Sequence, residues 1–142
     1  MATVEMTFTP LPAHVRTARL VATAVARRSG VPEALLDEVR LAVGEACSRA
    51  VEVHQRHCPA EPVKVALTGA GERFEVVVTN TAAADDGMMW PPQPAADGQD
   101  PAAVPAELGL AVIAGLADDV RVSRNSGGVS IRMSWPSGAR AG

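Results

Sequence analysis

The longest hydrophobic period in the chain runs over 35–54, where Leu35, Val39, Ala42, Val43, Ala46, Ala50 and Val51 recur at three- and four-residue steps. That is the period of a helix burying one face. Upstream, residues 2–9 alternate, with Val4, Met6 and Phe8 on one side and Thr3, Glu5 and Thr7 on the other, which predicts a half-buried strand ended by Pro10 and Pro12. A second helical period occupies 13–29, with Val15, Ala18, Ala22, Val25 and Ala26 inward and Arg16, Arg19, Arg27 and Arg28 toward the surface. Gly30 suits its C-cap, and Pro32 the first turn of the next helix. Downstream, the segments 63–68 and 73–80 are strands, spaced as a hairpin by Gly69-Ala70-Gly71-Glu72. Glu107 opens a third helix, ELGLAVIAGLADDV, with Leu108, Val112, Ile113 and Leu116 as its inner stripe. Segments 120–124 and 129–135 then pair around Asn125-Ser126-Gly127-Gly128.

This order predicts an α/β two-layer sandwich. Tight turns between consecutive strands imply an antiparallel or a mixed, mostly antiparallel sheet, and three amphipathic helices can cover one face of it. Residues 81–106 interrupt the pattern with five prolines, two glycines and four aspartates, leaving only Met88, Met89, Trp90 and Val104 as larger apolar residues. A stretch of that kind inside a compact domain serves as a lid or is an insertion. The expected organisation is one domain over 1–136 with a lid at about 81–106, followed by a flexible tail, 137–142.

Composition narrows the function. At 142 residues the chain can bury a single core without staples. Aromatic residues are only 3%, so that core must be built from Ala, Val and Leu. A net charge of -3 gives no basic footprint, which argues against direct nucleic-acid binding and for protein or small-molecule partners. Cys47 and Cys58 form no CxxC pair, as expected of reduced thiols in the cytoplasm. Neither makes metal-ligand spacing with His14, His54 or His57, so no metal site is expected from these residues. No basic-then-apolar leader and no run of 18 uncharged apolar residues occurs, so the chain is expected to be cytoplasmic, with no membrane contact. Walker, GxSxG and HExxH patterns are absent.

Glu45 stands inside the apolar stripe of the long helix, and Arg49 follows one turn later. Residues four apart are neighbours on a helix, so both side chains are presented together at the edge of the buried face. The run Glu45-Ala46-Cys47-Ser48-Arg49-Ala50-Val51-Glu52-Val53-His54 resembles EACxNAVxHA, the first nucleotide-binding motif of the GHKL ATPases, the superfamily of histidine kinases and Hsp90-type ATPases. Within it, the run is most similar to the small actinobacterial-type anti-sigma factors that are serine kinases. The strand leading to Asn80 resembles the second motif, and Ala106-Glu107-Leu108-Gly109-Leu110 resembles the third. Ser130, after Gly127-Gly128, matches a Thr or Ser of the last strand. The element order also fits the GHKL, or Bergerat-type, fold.

The resemblance implies that Glu45 is the catalytic base or orients the attacking group, and that Arg49, Asn80, Leu108, Gly109, Leu110 and Ser130 surround a nucleotide. Three positions depart from the family. Arg49 replaces an Asn that holds magnesium, and a guanidinium has donors only, with no lone pair for a metal. It can instead meet phosphate oxygens as a bidentate donor, or pair with Glu45 or Glu52 and close the site. Asn80 replaces an Asp that accepts from the adenine amino group, and it equally suits a strand-ending turn. Glu107 replaces a glycine; its carboxylate favours the helix dipole but repels a triphosphate at the same amides.

Together these departures predict weakened or lost ATP binding, with magnesium disfavoured. The implied role is transcription regulation by partner switching, in a homodimer that binds a sigma factor, a STAS-domain anti-anti-sigma factor, or both. One alternative is an active ATP- and magnesium-dependent serine/threonine protein kinase phosphorylating a STAS partner. Another is a pseudokinase interaction module that docks through the lid, with Met88, Met89 and Trp90 as its anchor.

Overall fold

The computed structural model describes residues 2–80, 106–125 and 128–137. Its elements are β1 (Ala2–Phe8), α1 (Pro12–Arg28), α2 (Glu33–His57), β2 (Val63–Ala70), β3 (Arg73–Asn80), α3 (Ala106–Leu116), β4 (Asp119–Asn125) and β5 (Gly128–Pro136). The strands form one sheet in the order β1-β2-β3-β5-β4, and every neighbouring pair is antiparallel. The expected two-layer sandwich is therefore present, and of the sheet types expected it is the antiparallel one throughout. No helix among the described residues is long and apolar enough to cross a membrane.

Helix α1 begins with a proline in its first turn, where the missing N–H is not needed. Its end is a Schellman motif: Gly30 takes φ 94°, its N–H bonds to Arg27 O at 3.1 Å, and the Val31 N–H reaches Ala26 O at 3.0 Å. That tight stop turns the chain directly into α2, with Pro32 as the N-cap instead of a first-turn residue. α2 packs between α1 and α3 and over β2 and β3. Burial therefore extends well beyond one stripe, to Leu36, Gly44, Cys47, Arg49, Val53 and His54 as well as the expected positions from Val39 to Val51, while Leu35, expected inward, is only half-buried. At the C-terminal end of α2, His54 Nδ1 donates to Glu61 O at 2.8 Å and ties down the following loop. It belongs to the core.

The period-two pattern places Phe74, Val76, Val78 and Asn80 of β3 on the helix-facing side. Cross-strand register sets them against Trp135, Met133, Ile131 and Val129 of β5. The core consists of these residues, the inner face of β2, and the apolar faces of the helices. Opposite, the sheet face is polar and held by surface ion pairs such as Arg132–Glu75 at 3.4 Å and Arg73–Asp118 at 2.8 Å.

Several local expectations change. β2 runs two residues further, to Ala70, because Gly71 adopts φ 61° and a two-residue turn suffices. α3 stops at Leu116: Asp118 already donates its N–H to Ser134 O at 3.0 Å, which draws the chain into the sheet. Val112 is 42% exposed while Ile113 is fully buried. α3 is apolar nearly all round, so its period does not select a face. Arg19, expected outward, is half-buried across α2, close enough that a Cβ on Gly44 would lie 2.7 Å from its Cδ. The expected lid, apart from Ala106, and the expected tail, apart from Ser137, lie outside the described residues.

Candidate functional site

Where the β3–β5 ladder runs out, at the Asn80–Val129 pair, a recess opens between sheet and helix layer. It is shallow: its enclosed volume is about 10 Å³, room for one water, and the 230 Å³ of empty space around it includes open solvent. α2 contributes Ala46, Arg49 and Ala50, one turn or so apart on one face, while Val78, Asn80, Val129 and Ile131 come from the two strands. Two of the three residues that depart from the family pattern, Arg49 and Asn80, thus share one wall system.

The Arg49 side chain is 10% exposed, and its Nε lies 3.3 Å from Glu45 Oε2 one turn earlier. Pairing with Glu45 is the arrangement observed, while Glu52 stands exposed. A buried guanidinium is tolerated because an opposite charge offsets part of its lost hydration. The Glu45 side chain is 31% exposed, at the rim and not among the lining residues. The pair is thus a charged edge to a recess whose other walls, Asn80 aside, are apolar.

Ser130 is placed differently from the other expected residues. With Val129 and Ile131 turned inward, alternation turns Ser130 to the outer face, where its hydroxyl lies 3.2 Å from that of Thr79. It does not line the recess. Leu108, Gly109 and Leu110 belong to the first turns of α3, with side chains outside the described residues, as are Met88, Met89 and Trp90. The apolar walls were not identified from sequence, because they need α2, β3 and β5 to meet. Cys47 belongs to the core: burial pushes its thiol up to about 12, with the Arg19 charge opposing part of that rise.

The lining residues do not fit a divalent cation. Of their side chains Asn80 alone carries lone pairs, on a single amide oxygen. Among the described residues no group of three or more His, Cys, Asp or Glu is placed to hold a metal.

A family model described as a histidine kinase-like ATPase domain matches residues 8–135. The chain belongs to that family. In fold, it is similar to the crystal structure of the RsbU and RsbW domains of Rv1364c from Mycobacterium tuberculosis, with a TM-score of 0.66 at 17% identity. The match covers 99% of this chain and 34% of that one, and at such identity it speaks for the fold. No curated protein sequence matches. Domains of this family bind ATP, usually with magnesium.

Proposed function

We propose that the protein is a regulatory binding module of the anti-sigma type, holding a sigma factor or its STAS-domain antagonist, with a nucleotide site that is weakened or lost. The observation that carries this reading is the Arg49–Glu45 ion pair at the recess. A guanidinium stands where the first motif would offer a metal ligand, and the carboxylate expected to act as base is held in an ion pair with it at 3.3 Å. A partner surface needs only the fold, and the family match spans 8–135. The anti-sigma branch is favoured by the run from Glu45 to His54, and by likeness in fold to a structure that contains an RsbW domain. A homodimer and a cytoplasmic location belong to the same proposal.

The test mixes the purified protein with the sigma factors and STAS-domain proteins of its own organism. Sizing chromatography reads complexes, and mass spectrometry after incubation with ATP and magnesium reads phosphate transfer. A stable complex without phosphate on the partner is expected. No complex with any of them contradicts the regulatory reading, and phosphoserine on a STAS protein establishes the kinase in its place.

A further inference from the structure

We infer that the recess takes its ligand as a metal-free, phosphate-bearing anion, with Arg49 as the resident cation. This rests on the reading of the recess as a degenerate nucleotide site. Magnesium demands six oxygen donors in near-octahedral order, usually with at least one carboxylate from the protein. The lining offers one neutral amide oxygen, from Asn80, and the Glu45 carboxylate is directed at Arg49. A divalent ion brought beside that guanidinium meets a like charge where nine-tenths of the arginine side chain is out of water, and where screening is weak.

An anion meets the opposite conditions. The guanidinium is always charged, and its planar fork matches phosphate oxygens. Ala46, Ala50, Val78, Val129 and Ile131 supply apolar walls beside the guanidinium, and Asn80 adds an amide at a polar edge. Magnesium in solution chelates di- and triphosphates. In this protein it competes with the recess for the ligand, when in the rest of the family it would complete the site.

Titration calorimetry of the full chain tests this with ADP, pyrophosphate and adenosine as probes, each in EDTA and in excess magnesium. ADP is expected to bind more tightly in EDTA than in magnesium. Pyrophosphate binding alongside it assigns the affinity to the anion; ADP binding without pyrophosphate assigns a share to the apolar walls. Arg49→Lys keeps the charge and should keep the order of affinities. Arg49→Asn should weaken ADP in EDTA roughly tenfold or more, the loss expected for one hydrogen bond to a charged group. Circular dichroism confirms that each variant is folded. Tighter binding with magnesium overturns the inference, as does adenosine matching ADP or the absence of binding by every probe in EDTA. Those outcomes leave the partner complex untouched, so failure here and failure of the anti-sigma reading are separable.

Discussion

The two ends of the β3–β5 ladder obey one register and do opposite things. At one end Phe74 faces Trp135, both essentially buried, with ring centroids 6.2 Å apart. The indole Nε1–H donates to Leu116 O at 3.0 Å and ties β5 to the end of α3. At the other end Asn80 faces Val129, and the space above them is a recess walled by α2. The backbone pattern is the same throughout. What differs is side-chain volume and charge: two large aromatics fill one end, while small and polar residues leave the other open beside a guanidinium.

Substitutions should separate the filled end from the open one. The largest effect is expected for Trp135→Ala or Phe74→Ala, each costing about 3–5 kcal/mol in urea unfolding. Next comes pH. Burial raises the Cys47 thiol from 9.0 to about 12, so the folded state holds its proton longer than the unfolded chain. Stability from this group is full below pH 9 and is lost as pH rises from 9 toward 12. Cys47→Ala should flatten that alkaline fall, read as the change in unfolding free energy between pH 8 and pH 10.5.

Smaller effects sharpen the contrast. Trp135→Phe keeps most of the volume but orphans the Leu116 carbonyl, for about 1 kcal/mol beyond its packing change. Gly71→Ala, at φ 61°, should cost about 1–2 kcal/mol in the same assay. Ile131→Val, beside the recess, should cost only about 0.5 kcal/mol, the low end for this change, because few atoms oppose the lost methyl on the open side. Arg49→Met should fall within about 1 kcal/mol of the parent in either direction. Removing one partner leaves Glu45, which is partly hydrated and not stranded in the core.

Most of the fold was legible because two periods carry it. Alternation puts Phe74, Val76 and Val78 on one face of β3, and three- and four-residue steps trace α2. Boundaries moved where a single residue decided them, as Gly71 did for the hairpin. α3 failed as a pattern because Val112 and Ile113 are equally apolar, and only packing distinguishes them. The site was half legible. Glu45 and Arg49 are joined by helix geometry alone, and Asn80 by its place at a strand end. Ser130 needed the register of β5, in which Val129 and Ile131 claim the inner face. The apolar walls needed three elements to converge, which no local window contains.

The most direct test of the account follows backbone amides by NMR while ADP is added to the full chain, once in EDTA and once in magnesium. The prediction is that shifts in EDTA concentrate at Arg49, Val78, Asn80 and Val129, leave Phe74 and Trp135 in place, and shrink when magnesium is present. Shifts that appear only with magnesium, or that centre on the aromatic end, would contradict it.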